Sequence, residues 1–288
     1  MVMKTKELLH QEDLERLRRF RPIDDTFMRG LFRDNIPLAE LVLRIITDKP
    51  DLIVTSCETQ ADMKRVTGAK SVCLDAYATD SNGKRYGIEI QRSDDGASPY
   101  RARYNSSVID VENLDKGQDV TELPDTYVIF ITEDDYYKAN KPMYVVQRMN
   151  VTLNQAFSDG THILYVNSLY QDDSALGRLM HDFNCSNPDD MYYEILADKT
   201  RYLKENEKGV SEMCKAMDDL RNESYAEGMA QGIMQGISQG ISQGISQGIA
   251  QQKESDIRSF LLMYHDVDNA SKLFGVPIDT VKGIADNL

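Results

Sequence analysis

Residues 74–91 read Leu74-Asp75-Ala76-Tyr77-Ala78-Thr79-Asp80-Ser81-Asn82-Gly83-Lys84-Arg85-Tyr86-Gly87-Ile88-Glu89-Ile90-Gln91, two β-like runs around the turn signal Asp80-Ser81-Asn82-Gly83. Register decides what such a hairpin presents. A two-residue Asn82-Gly83 turn pairs residues whose numbers sum to 165, which sets Asp75 against Ile90 and sends Glu89 to the other face. A three-residue loop, Ser81-Asn82-Gly83, with Gly83 in the left-handed position of a bulge, makes the sum 164. Asp75 then lies across from Glu89, Gln91 projects from the same face, and Ile88 and Ile90 point into the core. This second register separates polar from apolar side chains. Two opposed carboxylates repel unless a cation lies between them, and hard oxygen ligands of this kind suit Mg²⁺ or Mn²⁺. A solvated hairpin edge is the alternative reading of the same residues.

Outward from the hairpin, the pattern alternates between helix and strand. Leu8, Leu9, Leu14 and Leu17, set among charges, predict a short surface helix. From Asp25 onward TFMRGLFRDNIPLAELVLRIITDKPDL reads as two helices broken near Asn35-Ile36-Pro37. The second is predicted to bury Leu38, Leu41, Val42 and Ile45, with Pro37 in its first turn and Pro50 closing it. After Pro99 a helix is expected over YRARYNSSVIDVENL, then a central buried strand at TYVIFIT, and further strands at MYVVQRM and THILYVN. Residues 171–222 read as mostly helical, with Leu176, Leu179 and Met180 as core positions. The order helix–strands–helix–strand predicts an α/β (α+β) sandwich in preference to a doubly wound nucleotide-binding fold. Neither G-x-G-x-x-G nor G-x-x-x-x-G-K-[ST] occurs, which removes the main sequence support for nucleotide binding.

Composition bounds the function further. The chain has 288 residues, 33 Lys+Arg and 47 Asp+Glu, for a net charge of −14, and its 41% hydrophobic content excludes a wholly disordered chain. No stretch approaches the ~18 consecutive apolar residues of a membrane span, and the opening MVMKTKELLHQEDLERLRRF is too charged for a signal peptide. Cys57, Cys73, Cys185 and Cys214 show no C-x-x-C spacing, and His10, His162, His181 and His265 are scattered. Neither a disulfide framework nor zinc chemistry is indicated, and a reduced, cytoplasmic protein is expected. The acidic balance confines any nucleic-acid site to a local patch. Residues 60–104 fit that description, with eight Lys/Arg against six Asp/Glu.

From Gly228 to Gly248 glycine recurs every four residues, and so does an apolar side chain: Met229, Ile233, Ile237, Ile241, Ile245, Ile249. In a helix each glycine costs about 1 kcal/mol relative to alanine. Either a second helix compensates through close backbone approach and an isoleucine seam, or the segment is a flexible tether. A four-residue period drifts about 40° per repeat on a helix of 3.6 residues per turn, which favours a short-range crossing over a long left-handed coiled coil. Farther on, Ser271–Ile284 resembles the turn and second helix of a helix-turn-helix, with Gly275 at the turn and Val276, Val281 and Ile284 as buried positions. Its second helix offers Asp279, Thr280 and Lys282 where a DNA reader carries basic or amide side chains. An interaction or oligomer-capping module is therefore the preferred reading.

Taken in order, Asp25-Thr26-Phe27-Met28-Arg29-Gly30-Leu31-Phe32, LDAYATDSNGKRYGIEIQ, YRARYNSSVID and LPDTYVIFIT make the chain resemble the PD-(D/E)XK nuclease family transposases, close to the recombination-promoting nuclease group. The resemblance runs from about Asp25 to Met217, and the glycine-punctuated tail is also similar to tails in that family. It implies a restriction-endonuclease-like mixed central sheet flanked by helices, with a helical C-terminal tail, and a Mg²⁺-dependent cut in DNA, Mn²⁺ being an alternative ion. Asp75 and Glu89 match the family's metal-binding acids, and the carbonyl of Ile90 would complete the protein ligands. Gln91 stands where many relatives carry Lys; an amide cannot take a proton near neutral pH but can orient the attacking water. Asp25 matches a supporting acid, with a helix N-cap as its alternative role. Arg101 and Arg103 lie two apart, so at most one faces the site from a regular helix, to hold a phosphate or to form a surface salt bridge.

These readings divide the chain into a helical extension (1–24), a nuclease-like domain (25–222), the repeat (223–251) and a small helical module (252–288). The expected function is a metal-dependent DNA endonuclease of transposition or recombination, working as a homo-oligomer, most simply a dimer, through the 228–249 repeat. The runner-up is a catalytically inactive oligomeric binding protein that retains the nuclease fold.

Overall fold

Seven consecutive buried residues, Thr126–Thr132, form a strand that no solvent-facing sheet could hold, and the rest of the fold is arranged to cover both its faces. The computed structural model describes residues 6–63, 72–91 and 94–288. Side chains at 6–10, 60–63, 73, 90–91 and 94–95 lie outside the described set. Among the described residues the order is α1 (Lys6–Arg19), α2 (Asp25–Phe32), α3 (Ile36–Thr47), β1 (Val54–Met63), β2 (Val72–Asp80), β3 (Arg85–Gln91), α4 (Pro99–Glu112), β4 (Thr126–Thr132), β5 (Met143–Val146), β6 (Met149–Asn150), β7 (Gln155–Ala156), β8 (Thr161–Asn167), α5 (Ala175–Asn184), α6 (Glu194–Glu205), α7 (Glu207–Tyr264), α8 (Val267–Phe274) and α9 (Ile278–Ala285).

Six strands form one mixed sheet in the order β1-β2-β3-β4-β8-β5. The β1–β2, β2–β3 and β5–β8 pairs are antiparallel, while β3–β4 and β4–β8 are parallel. Helix α4 is the crossover between the parallel strands β3 and β4, and it covers one face: Ala102 and Ile109 pack with Leu74, Val128, Phe130 and Tyr165. The other face carries the larger core, where Phe27, Leu31, Val42, Phe183 and Leu203 from α2, α3, α5 and α6 meet Ala76, Ile88, Ile129, Ile131 and Val166. This mixed sheet flanked by helices, with a helical C-terminal region, is the fold class that the sequence implies.

Several local expectations change in detail. The break at Asn35 is real, since its side chain accepts the Leu38 amide at 3.3 Å and starts α3. The buried face of α3 is Leu38, Ala39, Val42, Leu43 and Ile46, leaving Leu41 and Ile45 only half-buried. The helix is apolar nearly all round, so its periodicity alone cannot fix which stripe turns inward. MYVVQRM is not one strand: β5 pairs with β8 and stops at Val146, and β6 pairs with β7. Strand β1, VTSCETQADM, has no expected counterpart, because it is a polar sheet edge without apolar alternation.

The chain separates into two compact units, Met1–Asp218 and Asp219–Leu288, and α7 contributes its first turns to the former and the remainder to the latter. In the second unit the glycine repeat is helical, and Ile257, Leu261, Ala270 and Val281 form a small core. Gly275 caps α8 at φ 57°, a left-handed position that spares glycine a steric penalty. No helix among the described residues is long and apolar enough to cross a membrane.

Candidate active site

The β2–β3 turn sets the site. The Gly83 amide donates to the Asp80 carbonyl at 3.0 Å, the Asp80 amide donates to the Lys84 carbonyl at 3.1 Å, and Gly83 has φ 79°. The Asp80 carboxylate fastens the loop from inside, accepting the amides of Asn82 and Lys84 and the hydroxyl of buried Tyr86, each at 2.9 Å. This is the three-residue loop with a left-handed glycine, and the strands pair as Thr79↔Arg85, Ala78↔Tyr86, Tyr77↔Gly87 and Ala76↔Ile88, each summing to 164. Asp75 and Glu89 are the residues that follow the last of these pairs on their two strands.

Their side chains then take different directions. Leu74 packs with the α4-side cluster, whereas Ala76, two residues on, belongs to the opposite cluster, so the regular alternation is interrupted at Asp75. Asp75, 7% exposed, meets Arg29 Nη2 of α2 at 3.6 Å. Glu89, 1% exposed, faces α4, where Arg101 Nη2 donates to Oε2 at 3.0 Å and Asn105 Nδ2 donates to Oε1 at 3.3 Å. The expected single carboxylate face is thus replaced by two carboxylates on adjoining strands, each held by an arginine from a different helical layer. That arrangement relieves the repulsion that two directly opposed acids would suffer.

Helix α4 is placed to make these contacts. Ser98 caps it by accepting the Arg101 amide, Pro99 occupies its first turn, and Arg101 and Asn105 fall on one face at i,i+4. Gly87 allows the close approach, because a Cβ there would stand 3.1 Å from Leu74 Cδ1 and 3.2 Å from Ile109 Cδ1. Only one of the two candidate arginines faces the site: Arg103 lies over the exposed Tyr100 ring, 5.7 Å from its centroid. Asp25 is not the N-cap of α2; Asp24 is, and Asp25 sits in the first turn, where its Oδ2 accepts from Arg29 Nη2 at 3.1 Å. Arg29 therefore links Asp25 to Asp75. Asp25 Oδ1 and Arg29 Nε are buried without a hydrogen-bond partner among the described residues.

The backbone of Ile90 and Gln91 continues β3, pairing with Ile131 and Thr132 of β4, and Thr132 pairs in turn with Asn167 of β8. Their side chains lie outside the described residues, as do Lys64, Arg65, Lys70 and Arg92 of the basic stretch. Among the described residues no group of three or more His, Cys, Asp and Glu gathers as a metal site. Sequence reasoning overlooked Arg29 and Asn105. The i,i+4 spacing of Arg29 from Asp25, and of Asn105 from Arg101, was the available signal.

Among known families, the one described as PD-(D/E)XK nuclease family transposase matches residues 38–171. That stretch contains Asp75, Glu89, Gln91, Arg101 and Asn105 and leaves out Asp25 and Arg29. No curated protein and no solved structure matches the chain.

Proposed function

Because residues 38–171 match the PD-(D/E)XK nuclease family transposases, we propose that this protein is a Mg²⁺-dependent DNA endonuclease of transposition or recombination, hydrolysing a phosphodiester with activated water. The observation that carries the reading is the burial of two carboxylates, Asp75 and Glu89, on the adjoining strands β2 and β3. A buried acid is costly unless paired, and such pairs concentrate at sites of chemistry.

The donors suit the ion. Mg²⁺ prefers hard oxygens and commonly takes one or two carboxylates from the protein, leaving the rest to water and phosphate. Asp75, Glu89 and the Ile90 carbonyl would supply such oxygens, the two carboxylates turning toward one ion from the separate arginines that hold them. When bound, the ion lowers the pKa of a coordinated water and polarises the phosphoryl oxygen. Asn105 fixes one oxygen of Glu89 and so sets the direction of the other. Gln91, by the chemistry of its amide, would orient the attacking water without serving as a base. Arg101, with 43% of its side chain exposed, is the cation available to a phosphate oxygen. Tyr100 and Tyr104, both exposed beside it on α4, give bases a surface for stacking.

The second partner is another copy of this chain. In the repeat, a Cβ built at any glycine from Gly228 to Gly248 meets nothing within 4 Å among the described residues, so no packing among them accounts for these glycines. Met229, Ile233, Ile237, Ile241, Ile245 and Ile249 are each between 51% and 63% exposed on the neighbouring column of the helix. A second copy crossing there would bury the isoleucines and use the glycines for close approach, placing two sites near one duplex.

Supercoiled plasmid tests the reading: nicking is expected with Mg²⁺ and is lost with EDTA or in Asp75→Ala. Folded protein that binds DNA but never cuts it, with any divalent ion, would favour the inactive binding protein instead.

A further inference from the structure

Residues paired across neighbouring strands lie in one row, and the row through Glu89 runs Glu89, Phe130, Tyr165, Tyr144 from β3 to β5. All four side chains are on the α4 face: Glu89 meets Arg101 and Asn105, and the three aromatics pack in the α4-side cluster. Helix α4 itself packs mainly on β1, β3 and β4. Toward β8 and β5 the loop between β4 and β5 takes its place, stacking Tyr136 on Tyr165 at 5.0 Å between centroids and setting Tyr137 edge-on to the same ring at 5.2 Å. The loop is tied by its own hydrogen bonds. Asp135 accepts the Tyr144 hydroxyl and the Asn140 amide, each at 2.6 Å, and that hydroxyl accepts the amides of Ala139 and Lys141 at 3.2 Å. Tyr137 is nevertheless 42% exposed, and its ring neighbours Tyr136, Tyr144 and Tyr165 all stand at 52° or more to it. No ring among the described residues lies flat against Tyr137, so the place of a flat partner is open.

We propose that Tyr137 is a stacking platform for an unpaired base, and that the substrate is duplex DNA carrying a single-stranded extension, flap or gap beside the cut. This rests on the nuclease reading and names the form of DNA that the site takes. Strands lie about 4.8 Å apart, so Tyr165, two strands from Glu89 along the row, is about 10 Å from it. Stacked nucleotides advance about 3.4 Å each, which sets the Tyr137 ring about three nucleotides from a phosphate held at Glu89. Within an intact duplex both faces of a base are covered by its neighbours, and only a base out of the stack offers one to a protein ring. Charge contributes little here, because Lys138 and Lys141 of the loop stand against three acids, of which Glu133 pairs with Arg21. Stacking carries the contact, and it tolerates any base because every base has a π-face.

The test uses the full-length protein and reads binding, not cutting, in EDTA and again with Ca²⁺. Fluorescence anisotropy compares two labelled DNAs: a blunt duplex, and the same duplex with a single-stranded extension of about ten nucleotides. One stacked base is enough for the extended duplex to bind at least about fivefold more tightly. Tyr137→Ala should erase that preference, and Tyr137→Phe, which keeps the ring, should retain it. The chain contains no tryptophan, so Tyr137→Trp places a single emitter on the platform. The extended duplex should quench it and the blunt duplex should not. Circular dichroism checks folding, and should Tyr137→Ala fail to fold, the tryptophan readout decides. Equal binding of the two DNAs by wild type, a preference that survives Tyr137→Ala, or no greater quenching by the extended DNA overturns the platform and leaves the nuclease reading standing. Folded wild type that binds neither DNA in either buffer overturns the nuclease reading and the platform with it.

Discussion

Replacing Ile237 and Ile241 by aspartate should turn an associating protein into a monomer. These residues flank Gly240 near the middle of the repeat, where two helices with drifting stripes would cross. An isoleucine taken fully out of water contributes about 1.5–3 kcal/mol. Each of these two is 58% exposed, so a second copy has about 1 kcal/mol or more to gain from covering it. A dimer contains four such side chains, and losing them all weakens association by about 4 kcal/mol, close to a thousandfold in dissociation constant. Four aspartates facing one another weaken it further. Light scattering and sedimentation equilibrium from about one to tens of micromolar would follow the change, and the plasmid assay should show nicking retained while linear product falls. Gly236→Ala with Gly240→Ala separates the roles of the two columns. With nothing within 4 Å of either added methyl, each substitution should strengthen the helix by about 1 kcal/mol yet loosen the dimer. Wild type that is monomeric at tens of micromolar would refute the argument, leaving the segment a helical spacer.

Three further outcomes follow from the first unit. Gln91→Lys restores the residue commoner among relatives and should keep Mg²⁺-dependent nicking; complete loss in a folded protein would show that Gln91 does something other than orient water. Asp80→Ala removes three hydrogen bonds at the turn and the partner of the buried Tyr86 hydroxyl, so urea denaturation should show a loss of about 3 kcal/mol, and an unchanged midpoint would contradict the role given to Asp80. Lys204, whose ammonium donates to the carbonyls of Arg18, Phe20 and Ser186, is drawn by burial from its ordinary 10.5 down to about 8. As pH rises through 8 the folded state releases this proton before the unfolded chain does, so stability should climb between pH 8 and 9. Above 9 the Cys57 thiol, pushed up by burial to about 11, acts in the opposite direction, because the unfolded chain ionises first. Urea midpoints at pH 7.5 and 9 should differ in wild type and converge in Lys204→Met; an equal rise in both would remove Lys204 as the cause.

The hairpin register was legible in the sequence, because it is fixed within a few residues. Gly83 takes the left-handed conformation at no steric cost, and Asp80 ties the loop amides to itself, so the sum of 164 needs no distant contact. The buried strand at TYVIFIT and the helix after Pro99 were legible for the same reason, since composition and capping act locally. What the sequence could not supply was direction and company. The alternation that should place Asp75 beside Glu89 is interrupted, and whether a carboxylate meets Arg29 of one layer or Arg101 and Asn105 of the other depends on how α2 and α4 pack on opposite faces of the sheet. Strand β1 and the inward face of α3 were hidden likewise, one too polar at a sheet edge and the other too uniformly apolar for periodicity to choose. Backbone register follows from short-range hydrogen bonds, whereas the counter-ion of a buried charge is chosen by whichever distant element packs beside it, and only the tertiary structure decides that.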